Sequence, residues 1–172
     1  MKKQFLIPLF FLLLLFDWGY SFLQYYHQPI QGDLIAIILP EPHYEQVLAN
    51  PFGLEALQTG EKYGGVNRYF AHQSLYEVFQ NVPLWLNKFL PPIDSLYATS
   101  AFFKWLFHVA LVLLLVCYIQ PKARFWSLPF LATALVVSSF FQANGYSHVI
   151  GIVDRSVVYA FFYAFPVLVL ML

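Results

Sequence analysis

The chain has 172 residues, 60% of them hydrophobic and 20% aromatic, with 10% charged. A soluble domain carries roughly 25% charged residues, so this composition excludes a soluble enzyme, a disordered chain and a basic nucleic-acid binder. The 9 basic and 9 acidic residues balance, which implies no bulk electrostatic partner. The one cysteine, Cys117, excludes an intramolecular disulfide framework and a cysteine-based zinc site.

In chain order, the first apolar block follows Lys2 and Lys3 and runs from Phe5 to Phe16. Its length alone would suit a signal-peptide core. The bulky Asp17-Trp18-Gly19-Tyr20-Ser21-Phe22-Leu23 follows, where a cleavage site needs small residues. Residues 4–24 are therefore expected to form an uncleaved transmembrane helix, because about 20 residues cross a core of ~30 Å. Residues 98–119, 125–141 and 156–172 supply a second, third and fourth span. The expected fold is all-α, polytopic, with about four transmembrane helices and a partly helical outer loop.

Basic residues orient these spans. Lys2 and Lys3 precede the first, and Lys122 and Arg124 fill the turn between the second and third. The positive-inside rule places both ends in the cytoplasm. The loop of residues 25–97 then lies outside, with seven carboxylates and three basic residues, Lys62, Arg68 and Lys88. Asp17, Lys104 and His108 fall within the spans. Lys104 and His108 are spaced i, i+4 on one helix face, where pairing of Lys104 with Asp17 or Asp94 would satisfy it. The sequence ends on Leu170-Met171-Leu172 with no interfacial anchor, which reads as a fragment of a longer polytopic protein.

A loop of this length is too long for a passive connection. Its punctuated apolar groups predict short surface helices over 41–49, 54–58, 70–79 and 84–89. Pro91-Pro92 is expected to break the chain before the second span, with Asp94 or Ser95 as its N-cap. The candidate chemical groups gather early in the loop. Gly32 turns the backbone and exposes Asp33 near the membrane, where a carboxylate suits a general base or a divalent-cation ligand. His27 and His43 suit proton transfer or phosphate contact, and Glu41 adds a second acid beside His43. Further on, Arg68 and His72 fall i, i+4 on a helix and can grip a phosphate together. The plainer alternative makes Asp33 a cap and the basic residues a solvated face.

The arrangement resembles the N-terminal part of the GT-C class of membrane glycosyltransferases. The resemblance rests on the first span, on Gly32-Asp33, and on an amphipathic loop ending in Pro91-Pro92-Ile93-Asp94-Ser95-Leu96-Tyr97. Gly151-Ile152-Val153-Asp154-Arg155-Ser156 before the last span adds to it. It implies a bacterial inner-membrane protein that transfers sugar from a lipid-linked, polyprenyl-phosphate donor on the outer face. Asp33 would be the general base or metal contact. Arg68, His72 or Arg155 would hold the lipid phosphate. The chain departs from the family in lacking a paired acidic motif after the first helix, Glu41 being well separated from Asp33, and in having fewer spans. The rival expectation is a non-enzymatic membrane subunit or assembly factor whose outer loop binds a partner. A transporter, with Lys104 and His108 as its polar groups, comes third.

Overall fold

A computed structural model describes residues 3–30, 33–39, 42–49, 54–60, 69–141, 153 and 155–172. Every regular element among the described residues is helical. They are α1 (Lys3–Tyr26), α2 (Asp33–Ile38), α3 (Pro42–Ala49), α4 (Leu54–Thr59), α5 (Tyr69–Leu86), α6 (Pro92–Ile119), α7 (Leu128–Ser138) and α8 (Val157–Met171). A 3-10 turn, Ser139–Phe141, prolongs α7, and α8 contains a π turn at Ala160–Ala164.

Two helices, α1 and α6, are long and apolar enough to cross a membrane. At ~1.5 Å per residue their 24 and 28 residues exceed a ~30 Å core. Both also carry large apolar side chains on their exposed surfaces. Leu14, Trp18, Ser21 and Tyr25 form the buried stripe of α1, which packs against α6 and α7. The opposite side is equally apolar, with Phe5 67% and Phe16 75% exposed. A helix that is apolar all round suits a membrane setting by length and composition. The apolar helices Leu128–Phe141 and Val157–Met171 are shorter.

Several expected boundaries are corrected. The helices expected at 70–79 and 84–89 are one, because α5 runs through Pro83 to Leu86. Proline removes one backbone bond there, yet the ladder resumes with Asn87 N–H donating to Pro83 O at 2.8 Å. Packing of α5 on α6 outweighs the local cost. The helix α6 begins at Pro92, six residues before the span expected from 98. Pro92 occupies the first turn of α6, where a missing N–H costs nothing. Neither Asp94 nor Ser95 caps α6, since its cap position is Pro91 and carries no side-chain cap bond. Ser95 Oγ instead donates to Asn87 Oδ1 and Pro92 O, joining α5 to α6. The helix α2 is an addition to the sequence expectation.

The core lies where α1, α6, α7 and α8 meet. Phe107 contacts the Phe161 and Phe165 rings at centroid distances of 5.0 and 5.5 Å. Phe103 meets Phe161 at 5.6 Å. Away from this core α2 packs on α5 and α8, and α3 packs on α5. The bond from Gln80 Nε2 to Ile38 O, at 2.7 Å, ties α5 to the end of α2.

Candidate functional site

A buried polar cluster fixes the C-terminal end of α1. Lys104 is 1% exposed. Its Nζ donates to Gln28 Oε1 at 2.8 Å, Arg155 O at 2.9 Å and Tyr25 O at 3.4 Å, and lies 5.3 Å from the centre of the Tyr25 ring. A cation at a helix C-terminus offsets the partial negative charge of the terminal carbonyls. Lys104 therefore holds three segments together: the last turn of α1, the following loop, and the residues entering α8.

The last turn of α1 sits beside the Asp94–Lys104 stretch of α6, since Tyr26 Oη also donates to Asp94 Oδ1 at 3.3 Å. The first turns of α6 thus stand beside the end of α1 and not beside its middle. Tyr25 Oη pairs with His108 Nδ1 at 3.2 Å, and the imidazole stacks on Phe141 at 5.1 Å. Asp17 Oδ2 accepts from Ser138 Oγ at 2.5 Å. The expected acidic partners of Lys104 are engaged elsewhere, Asp17 by Ser138 and Asp94 by Tyr26. Among the described residues the ammonium donates to carbonyl oxygens.

The candidate residues divide between two cavities. The first has a volume of about 280 Å³ and is lined by Asp33, Ala36 and Ile37 of α2, His72 of α5, and Val158, Tyr159, Phe162 and Tyr163 of α8. Asp33 is exposed and opens the first turn of α2. His72 is half-buried, and its ring meets Phe162 edge-on at 4.6 Å. This contact restricts how the imidazole can turn toward the cavity. Phe162 and Tyr163 lie in the π turn of α8, a feature frequent at functional sites because it changes side-chain phase within a helix.

The same two aromatic residues also line an apolar groove of about 370 Å³, with Phe70, Ala71, Phe165, Pro166, Val169 and Leu170. A cavity carrying a carboxylate and an imidazole therefore borders, at Phe162 and Tyr163, an apolar groove along α8. A ligand with a polar head and an apolar tail matches this sequence of surfaces.

The second cavity, about 550 Å³, is lined by Tyr20, Leu23, Gln24 and His27 with Gln28, Pro29 and Arg155. It shares no lining residue with the first, so His27 and Arg155 stand apart from Asp33. His43 lies on α3, with its side chain outside the described residues. Glu41 and Arg68 also lie outside them, and so does the pairing of Arg68 with His72.

The donor set of the first cavity tests the expected divalent cation. Among the described residues no group of three or more His, Cys, Asp or Glu side chains comes together. Calcium takes roughly 6–8 oxygens, and Asp33 with His72 does not supply such a cage. Sequence reasoning missed Tyr159, Phe162 and Tyr163. They lie within an apolar run whose pattern does not distinguish a cavity wall from a lipid-facing side.

No protein-family model, curated protein or solved structure matches this chain.

Proposed function

We propose that this is a multi-pass membrane protein with four spans and a cytoplasmic N-terminus, in a bacterial inner membrane, whose outer helices and α8 bind a lipid-linked phosphosugar. It acts as a glycosyltransferase-like protein of the GT-C type, as the N-terminal part of that architecture. The observation that carries this reading is that the Asp33–His72 cavity and the apolar groove of α8 lie against the same two residues, Phe162 and Tyr163. The polyprenyl tail follows the groove, and the phosphosugar occupies the cavity.

In this reading Asp33 takes the proton of the acceptor hydroxyl as its oxygen attacks the anomeric carbon. The bond from that carbon to the phosphate oxygen breaks, and its electron pair leaves on the lipid phosphate. His72, as an imidazolium, donates to that phosphate. Phe162 holds the imidazole edge-on. Arg155 has no part in this step, because it lines the other cavity.

The test measures sugar transfer from the lipid donor in membranes containing the wild-type chain or Asp33→Asn. Loss of a general base reduces turnover about 10²–10⁴-fold, and donor binding should persist. Equal turnover in the two proteins would sink the enzymatic reading. A second reading, a non-enzymatic subunit, draws on the exposed Leu54, Leu57 and Phe70 of the outer helices as partner anchors. It predicts that Asp33→Asn leaves partner binding unchanged.

A further inference from the structure

We infer that the cavity beside the end of α1 is a binding site for a phosphate group at the outer membrane surface, separate from the Asp33 cavity. Four of its residues, Tyr20, Leu23, Gln24 and His27, recur every three or four positions and form one face of the last turns of α1. Gln28, Pro29 and Arg155 close the remaining side. The volume of about 550 Å³ is ample for a phosphorylated headgroup.

The chemistry of the lining points to an anion. Gln28 is 8% exposed, so its amide is held in place rather than solvated. An ammonium group only donates hydrogen bonds. The 2.8 Å bond from Lys104 Nζ therefore fixes the amide oxygen of Gln28 toward the lysine. The opposite end of the same amide is its nitrogen, with two N–H donors, and Gln28 lines the cavity. A buried cation thus sets the orientation of a buried amide and polarises its N–H groups toward whatever oxygen they meet.

His27 adds a ring N–H, Tyr20 a hydroxyl, Gln24 a second amide, and Arg155 a guanidinium with five N–H donors that can serve several acceptors at once. Among the described residues, none lining this cavity is acidic. The neighbouring Asp154 lies outside the described residues. A phosphate offers several oxygens to such a concentration of donors. Lys104 also holds Arg155 through the backbone carbonyl, at 2.9 Å, so the side chain of Arg155 can be replaced without breaking that bond.

Either of two sources can present this group: the headgroup of a membrane phospholipid, or free inorganic phosphate. The full chain, purified in an uncharged maltoside detergent, separates them. Binding is measured for short-chain phosphatidic acid, for the diacylglycerol of the same chain length, and for inorganic phosphate. Binding of phosphatidic acid with diacylglycerol inert identifies the headgroup, and tight binding of inorganic phosphate alone identifies the free ion. Both support the site.

One lost charge-assisted bond is worth ~1.5–3 kcal/mol, or about 10–100-fold in affinity. Arg155→Gln should weaken phosphate binding by about that factor, and His27→Gln by roughly tenfold. Asp33→Asn, in the other cavity, should leave this binding unchanged, which keeps the result independent of the proposed sugar chemistry. His27→Gln replaces an exposed side chain, so it remains informative if Arg155→Gln does not fold. Equal binding of diacylglycerol and phosphatidic acid would overturn the proposal. So would absence of binding by both phosphate probes, or affinity that neither substitution changes.

Discussion

Replacing Lys104 with methionine should destabilise the protein by about 3 kcal/mol, at the low end of two lost charge-assisted bonds at ~1.5–3 kcal/mol each. The substitution keeps a long unbranched chain and removes the ammonium. It leaves Gln28 Oε1 and Arg155 O without the donor that now lies 2.8 and 2.9 Å away. The Tyr25 carbonyl, at 3.4 Å, is too distant to add much. The cost falls at the low end because burial of a charge carries its own penalty, which methionine relieves. With ~2–4 °C per kcal/mol for a chain of this size, the thermal midpoint in detergent should fall by roughly 6–12 °C. Tryptophan fluorescence during heating or SDS titration reads this change. Lys104→Arg should recover part of the loss, since a guanidinium can still donate to both oxygens. A Lys104→Met protein within about 1 kcal/mol of wild type would refute the reasoning, because single buried hydrogen bonds already account for that much.

Three further outcomes follow from the same structure. Tyr25→Phe removes the 3.2 Å bond to His108 but keeps the ring beside Lys104, and should cost about 1 kcal/mol in the same unfolding assay. Ser138→Ala removes the bond to Asp17, and should cost roughly 0.6–1.7 kcal/mol, the range found for polar contacts between membrane helices. For topology, the exposed Cys117 is first replaced by serine, and single cysteines are introduced at Gln58 and Lys122, both exposed. In oriented membranes an impermeant thiol reagent added outside should label position 58 and not position 122; labelling of both, or of 122 alone, would contradict the proposed orientation.

The legibility of the sequence varied with the kind of signal. Long apolar runs are strong signals because lipid must surround them, so α1 and α6 were readable as helices fit to cross a membrane. The end of α5 and the start of α6 were not readable from proline alone. Pro83 lies inside a helix and Pro92 starts one, and only the packing of α5 on α6 and the Ser95–Asn87 bond separate the two cases. Polar residues in apolar runs were recognisable as costly to bury, but their partners were not. An acid is the natural partner for a lysine in an apolar run, and the fold adds backbone carbonyls and Gln28 as acceptors for Lys104. Those acceptors exist only after the end of α1, the next loop and the entry to α8 have come together.

The candidate site shows the same division. Asp33 and His72 were identifiable one by one as reactive side chains, and the fold places them on one cavity. His27 and Arg155 were identifiable too, and the fold places them on another. The aromatic wall from α8 depends on the phase change at Ala160–Ala164, which nothing in the apolar run Ala160-Phe161-Phe162-Tyr163-Ala164 signals.

The central claim is that a lipid-linked phosphosugar lies with its head at Asp33 and His72 and its tail along α8. A polyprenyl-phosphate analogue carrying a photoreactive group next to its phosphate tests this most directly, by mapping the crosslinked peptides in the membrane-embedded chain. The account predicts adducts on the peptides containing Asp33, His72 and Phe162, lost when excess unlabelled donor is added. Adducts confined to the lipid-facing side of α1, or unaffected by competitor, would contradict it.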